Sequence, residues 1–492
     1  MTETAKKKRG MPSSFTILLA LLAIVAVITV IVSGTSGGAV TAARLSDFCT
    51  APILGFADAL PVCLFVMILG GFLGMMTETG ALDNGIAVLV QKLKGNEIML
   101  VPVLMLIFSL GGTTYGMCEE TVPFYALLAA TMMAAGFDPM VGAATVLLGA
   151  GCGCLGSTVN PFAVGAAVDA LTGVGIEVNQ SIIIGLGAVL WLVTTVMSIV
   201  FVMNYAKKVK ADKGSTILSM QELKDAEEAH GKAASEVHKE VKLTGRQKGV
   251  LIAFAFTFVV MIVGFIPLAD LNEGVANFFD AGAVYDADGN AVVQGWSALI
   301  TGLPIGQWYF DEASTWFFLM AVLIGIIGGL SEKQIVNTFI TGAADMMSVV
   351  LVIALARGIS VLMANTGLDV YVLDAAANAL AGLSGVIFAP MSFLVYFGLS
   401  FLIPSTSGMA TVSMPIMGPL AVKLGFSPEV MVMIFSAAIG VVNLFTPTSG
   451  AIMGGLALAK IEWTTWLKFA LKLIVALSVV CAIILTVACV ML

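Results

Sequence analysis

Long apolar runs separated by short polar joints dominate the chain. They fall at 14–33, 54–76, 98–113 with 117–135, 140–171, 181–204, 247–267, 313–330, 336–363, 386–403 with 409–423, 429–459 and 466–492. About eight to ten of these runs approach or exceed the ~18–20 residues a helix needs to cross a bilayer. Lipid offers the backbone no hydrogen-bond partner, so such runs must be helical. The short alternating segments of a transmembrane β-barrel are not seen. The pattern therefore predicts an all-α polytopic membrane protein. The first run follows Lys6, Lys7, Lys8 and Arg9 and mimics a signal peptide, but its length and the lack of a clear small-residue cleavage site predict a retained helix.

Composition agrees: 59% of the 492 residues are hydrophobic and 11% charged, against about a quarter charged in soluble domains. The net charge of −8 is spread over loops, and no basic patch interleaved with aromatics suggests nucleic acid. Six of the seven cysteines lie in apolar runs and only Cys49 in an expected loop, a pattern of packing thiols. Cys152 and Cys154 have no further Cys or His in a membrane segment to complete a metal site.

Basic residues set the topology. With a cytoplasmic N-terminus and the two paired runs treated as hairpins, Lys6 to Arg9, Lys92, Lys94, the loop from Lys207 to Lys248, Lys333, Lys460 and Lys468 all fall inside. The stretch 268–312 falls outside with seven acids and no Lys or Arg, as does 364–385, again without a basic residue. Arg44 and Lys423 are the exceptions to the positive-inside rule. The C-terminus is then extracytoplasmic. The polar segment 205–246, with His230 and His238, reads as a solvated linker of helical or disordered character.

The halves resemble each other. Gly55-Phe-Ala-Asp58 matches Gly342-Ala-Ala-Asp345, Gly71 matches Gly358, and Thr79-Gly80 matches Thr366-Gly367, each 287 positions on. Tyr115-Gly-Met117 matches Ser407-Gly-Met409 at 292, and Gly136-Phe-Asp-Pro139 matches Gly425-Phe-Ser-Pro428 at 289. By the threading above, run 14–33 goes outward and its partner 313–330 inward, so the repeat is inverted, as in alternating-access carriers. The expected organisation is a first repeat over 1–204, with a hairpin at about 98–135 and a broken helix at about 140–171. A cytoplasmic polar linker follows over 205–246, then a connecting helix and acidic extracellular loop over 247–312. The second repeat spans 313–492, with a hairpin at about 386–423 and a broken helix at about 429–459. That makes about nine transmembrane helices plus two re-entrant hairpins.

Four polar, helix-breaking stretches interrupt the matched segments: Gly111–Thr121, Ile403–Thr411, Leu155–Phe162 and Asn443–Gly450. Irregular backbone at membrane depth is tolerated only around a cavity, and half-helix ends present partial charges to a ligand. The candidate substrate ligands are Thr113, Thr114, Tyr115, Glu119 and Glu120 at the first tip; Ser157, Thr158 and Asn160 at the first break; Ser405, Thr406 and Ser407 at the second tip; and Asn443, Thr446, Thr448 and Ser449 at the second break. Small residues also serve ordinary helix packing in membranes, so the coincidence of all four with the repeat carries the functional reading. Glu119 and Glu120 have no acidic counterparts in the second half, and Arg357, the one basic residue inside an expected span, is a possible charge partner. A structural Glu–Arg pair is the plainer reading of those charges. Asp58 and Asp345 suit capping or packing as well as an ionic role, and Asp169 is expected at the interface.

No phosphate-binding G-x-x-x-x-G-K-[ST] loop is present, and no His lies in a span, which argues against an ATP-driven pump and an intramembrane enzyme. An ion channel is the rival of another class, although channels usually present rings of like residues from identical subunits.

At G-G-F-L-G, T-G-A-L-D-N-G-I, K-G-N-E, F-S-L-G-G-T-T-Y-G-M-C-E-E-T and N-P-F the sequence resembles the YfcC-type branch of the anaerobic four-carbon dicarboxylate carrier family, within the ion transporter superfamily. The stretch around Tyr115 is similar to arginine/ornithine antiporters of that branch. The resemblance covers nearly the whole chain. It implies an elevator-type fold, usually a homodimer, in a prokaryotic cytoplasmic membrane. It departs at Cys118, where relatives commonly have Gly. Four-carbon dicarboxylates are the family's substrate class, but two glutamates against one arginine favour a basic amino acid such as arginine or ornithine. No cofactor is expected; coupling to sodium, to protons or to pure exchange stays open.

Overall fold

Two of the long apolar runs divide into helix pairs. The run at 54–76 becomes α2 (Leu45–Asp58) and α3 (Leu60–Glu78), parted at Ala59 with Pro61 in the first turn of α3. The run at 336–363 becomes α12 (Glu332–Asp345) and α13 (Met347–Thr366), parted at Met346. Hydropathy alone misses the division, because the joint is a single apolar residue in each case. In this computed structural model the described residues are 14–82, 84–85, 88, 96–236, 242–266, 268–271, 273–286 and 291–492. Lys6, Lys7, Lys8, Arg9, Lys92, Lys94 and His238 lie outside them.

The remaining helices follow in order. α1 is Ser14–Ser33, α4 Leu100–Tyr115, α5 Val122–Ala134, α6 Pro139–Leu155, α7 Ala166–Thr172 (entered through a wide turn over Pro161–Gly165), and α8 Gln180–Ala211. Then come α9 Met220–Glu236, α10 Gly245–Phe265, α11 Phe310–Gly328, α14 Leu368–Leu380, α15 Gly385–Leu399, α16 Thr406–Lys423, α17 Pro428–Val442, α18 Gly450–Leu458 and α19 Trp463–Met491. Among the described residues eight helices are long and apolar enough to cross a membrane. Cys49 lies exposed within α2 rather than in a loop. The stretch 364–385 holds α14, and the acidic stretch before α11 contains a small antiparallel pair, Val284–Tyr285 with Ala291–Val293.

These helices sort into two packing groups. In the first, α2 lies against α13, α3 against α12 and α11, α11 against α10, and α1 against α13. In the second, α6 is enclosed by α4, α5, α8 and α17, while α17 packs on α15, α16 and α19. Nearly every side chain of α6 and α17 is buried, as expected for helices that are apolar all round. The groups meet mainly where α18 runs along α13 and α14 meets α16.

One sequence match reappears as the same local device. Gly136 and Gly425 adopt φ of 87° and 81°, the left-handed conformation that stops a helix. Each is followed by a Phe whose N–H donates five residues back to a carbonyl in the last turn of the helix just ended, at 2.9 Å: Phe137 to Met132 and Phe426 to Ala421. Asp138 and Ser427 then cap the next helix, with Pro139 and Pro428 at its first position.

The polar linker is helical, but it is docked rather than solvated. α9 packs along α5 and buries Glu222, Ala226 and His230. Glu222 accepts from Ser219 and Glu462 backbone N–H groups at 2.7 and 2.9 Å, and His230 Nε2 lies 3.1 Å from the Leu458 carbonyl. Burial holds the His230 imidazole below its ordinary value of 6.5, helped by nearby Lys460 and opposed by the carbonyl. The hydrophobic stripe is thin, which is why composition suggests a free segment.

Candidate substrate site

At the first tip α4 ends at Tyr115 because Gly116 turns to φ 79°. The chain then passes Cys118, whose φ of −136° is negative, so the position does not call for the left-handed conformation that favours glycine. Glu120 is almost fully buried, and its Oε2 accepts the Cys118 N–H at 3.0 Å, closing the turn that opens α5. Glu119 is half-buried and lines the cavity.

The first break is tied to this tip. Thr113 Oγ1 donates to the freed Gly156 carbonyl at 2.6 Å, and the Thr158 N–H donates to the Thr113 carbonyl at 2.9 Å. Asn160 does three jobs at once. Its Nδ2 donates to Ser157 Oγ at 2.9 Å, and its Oδ1 accepts from Phe162 N–H at 2.9 Å and Ala163 N–H at 3.3 Å. It thereby restarts the helix on the far side of the break.

In the second half, Ser405 Oγ accepts the Gly408 N–H at 3.1 Å and starts α16. Between α17 and α18 the hydroxyls of Thr446 and Thr448 are 2.7 Å apart. The indole N–H groups of Trp463 and Trp466 cover the freed Phe445 and Leu444 carbonyls at 2.7 and 2.9 Å. These bonds pair the Gly156, Leu444 and Phe445 carbonyls freed at the breaks, as a membrane interior requires. The Tyr115/Ser407 match does not extend to position in the hairpin: Tyr115 ends α4, whereas Ser407 lies in the first turn of α16.

Both tips and both breaks line one cavity of about 430 Å³ between the two packing groups. Of the sequence-derived candidates, Glu119, Glu120, Asn160, Ser405, Thr406, Ser407, Asn443, Thr448, Ser449 and Arg357 line it. Thr113, Thr114, Tyr115, Ser157, Thr158 and Thr446 stand behind the wall. There Thr113 and Thr158 pin the tip to the break, Thr114 bonds back to the Leu110 carbonyl at 2.6 Å, and Tyr115 stacks on Phe265 at 5.5 Å.

Sequence reading missed Asp58 and Asp169 as cavity acids and Phe162, Tyr309 and Phe310 as an aromatic wall. Phe162 stacks on Phe310 at 5.3 Å, one ring from each packing group. The aromatic pair at 309–310, near the end of the acidic stretch, was the available signal. Arg357 Nε lies 3.5 Å from Asp58 Oδ2, so the ion pair falls to Asp58 rather than to a glutamate.

A cavity walled by broken helices and lined by several charged side chains, inside a bundle with many membrane-length helices, is the architecture of a membrane transporter. The family agrees. Residues 38–490 match the model of the C4-dicarboxylate anaerobic carrier family, DcuC, and the chain belongs to that family; it is a multi-pass membrane transporter, not an enzyme. It is 29% identical over 445 residues to a Haemophilus influenzae protein of unassigned function, covering 90% of this chain and 78% of that one. It is 27% identical over 440 residues to YfcC of Escherichia coli, named as a proposed basic amino acid antiporter, covering 87% and 77%. Among solved structures, MtrF of Neisseria gonorrhoeae, of a class of antimetabolite efflux pumps, aligns over 98% of this chain and 96% of its own at 16% identity and TM-score 0.43. The YdaH transporter of Alcanivorax borkumensis aligns over 97% and 98% at 15% identity and TM-score 0.46.

Proposed function

We propose that this protein moves a basic amino acid of the arginine or ornithine type across the cytoplasmic membrane, by exchange or import, through an elevator mechanism. One observation carries the substrate class. The cavity is lined by Asp58, Glu119, Glu120 and Asp169 against one cation among the described residues, Arg357, and that cation is already paired with Asp58. An excess of carboxylate in a shielded site favours a cationic ligand. The N-terminus of α16, with Thr406 and Ser407 on the cavity, suits the ligand's α-carboxylate. The naming of the YfcC relative points the same way.

The same N-terminus, with Arg357, suits one end of a four-carbon dicarboxylate, the substrate class in the family's description. Its second carboxylate would face Glu119 without a counter-ion.

The division into two packing groups with the cavity between them supports an elevator in which α4–α9 and α15–α19 travel against α1–α3 and α10–α14. The cross-packing of α2 on α13 and of α3 on α12 supports inverted repeats over 1–204 and 313–492. Within this reading the N-terminus is cytoplasmic, the C-terminus extracytoplasmic, the working unit a homodimer, and the tips re-entrant. Sodium or proton coupling would act at the same hydroxyls and carboxylates.

A thermal-shift screen of the purified protein tests the substrate class. Arginine, ornithine and lysine should raise the melting temperature in a saturable way, and succinate and fumarate should leave it unchanged. The opposite ranking would overturn the assignment.

A further inference from the structure

The cavity charges are divided between the two packing groups. Arg357 and Asp58 belong to one group, on α13 and at the end of α2, and Arg357 commits its Nε to Asp58 at 3.5 Å. Glu119 belongs to the other group, at the head of α5, and lines the same cavity as Arg357. Glu120 beside it is occupied by the Cys118 N–H and closes the tip. Glu119 and Asp169 are then the acids of the second group left lining the cavity, and among the described lining residues the guanidinium across the interface is the one basic side chain.

We propose that Arg357 is a built-in stand-in for the substrate's cation, latching the two groups together through Glu119 when the site is empty. This inference rests on the basic amino acid reading above. A substrate ammonium or guanidinium entering the cavity takes Glu119, and Arg357 falls back on Asp58. The attraction that spans the interface is then replaced by one that lies wholly within the travelling group. The loaded carrier is free to move and the empty one is held. Such an arrangement couples import of one cation to export of another, with Asp58 deciding how far Arg357 leans toward the latch.

The charges predict effects of opposite sign. Arg357→Gln removes both the competitor and the latch. Its KM for arginine should fall several-fold, while net efflux of labelled arginine into buffer without exchangeable amino acid should rise about tenfold relative to exchange. Arg357→Lys keeps the charge and should retain most of the coupling. Asp58→Asn frees Arg357 to bind Glu119, so KM should rise and exchange slow.

All three are measured in proteoliposomes beside the wild type, with the amount of folded protein fixed by size-exclusion chromatography. If the wild type exchanges arginine for ornithine but Arg357→Gln keeps the wild-type ratio of net efflux to exchange, the latch is overturned and the substrate reading stands. If Arg357→Gln does not fold, Asp58→Asn decides: unchanged KM and rate overturn the latch. If the wild type does not carry arginine at all, the substrate reading itself has failed.

Discussion

Cys63 and Val350 touch across the first packing group: the thiol donates to the Val350 carbonyl at 3.9 Å, and the two are separated by 287 positions. That is also the spacing of Gly55 to Gly342 and of Gly71 to Gly358. The glycines meet crosswise. A Cβ on Gly55 would come within 2.3 Å of the Gly358 nitrogen, and one on Gly342 within 2.4 Å of the Gly70 carbonyl oxygen. A residue meeting its own counterpart, flanked by reciprocal crossings, agrees with the twofold relation proposed between the halves.

Backbone on both sides of these crossings leaves nothing free to yield. Gly55→Ala and Gly358→Ala should each destabilise by about 1–3 kcal/mol through overpacking, seen as a lower melting temperature in detergent. Gly398→Ala, where an added Cβ meets nothing within 4 Å, should match or slightly exceed the wild type.

Asn160 holds the first break open by three hydrogen bonds. Asn160→Ala should cost about 1 kcal/mol for the lost cap and should reduce transport more than it reduces stability, because the cavity wall moves with it. Asn160→Asp keeps the acceptor for both N–H groups and should retain the melting temperature. Paired melting and uptake measurements check both.

The neighbouring glutamates should respond differently. Glu119 faces the cavity, so Glu119→Gln loses a charge-assisted contact of about 1.5–3 kcal/mol, which raises KM for a cationic substrate roughly ten- to a hundred-fold. Glu120 spends its carboxylate on the Cys118 N–H. Glu120→Gln keeps that acceptor and should shift KM far less, whereas Glu120→Ala should loosen the tip and lower the transport rate. Initial-rate uptake against concentration separates the three.

How much of this was legible in the chain depends on the kind of signal. Run lengths located the long helices, and the Gly136/Gly425 match predicted a turn that recurs with the same hydrogen bonds, because local chemistry dictates it. The polar breaks located the cavity. Which face each residue turned inward was not legible: Thr113 and Tyr115 sit on the same tip as Glu119, yet they pack behind the wall. The Asp58–Arg357 pair joins residues 299 positions apart, on helices that only the folded packing brings together. Docking of α9 depends on a few buried contacts that composition averages away.

His230 gives that docking a pH dependence of known sign. Burial keeps its imidazole below the ordinary 6.5 in the docked state, so the undocked state takes up more protons as pH falls. The docking contribution is complete above about pH 6.5 and declines as pH drops below it, down to the lowered docked value. Hydrogen exchange of α9 amides, corrected for intrinsic rates, should show weaker protection at pH 5.5 than at 7.5. A His230→Gln variant should lose that difference.

Counterflow puts the cavity's charge balance to the most direct test. Proteoliposomes loaded with excess unlabelled ornithine, lysine, arginine or succinate are offered external labelled arginine. The acidic site predicts transient accumulation of label driven by the three cationic amino acids and none driven by succinate. Accumulation of labelled succinate driven by internal succinate, with arginine inert on both sides, would contradict the account.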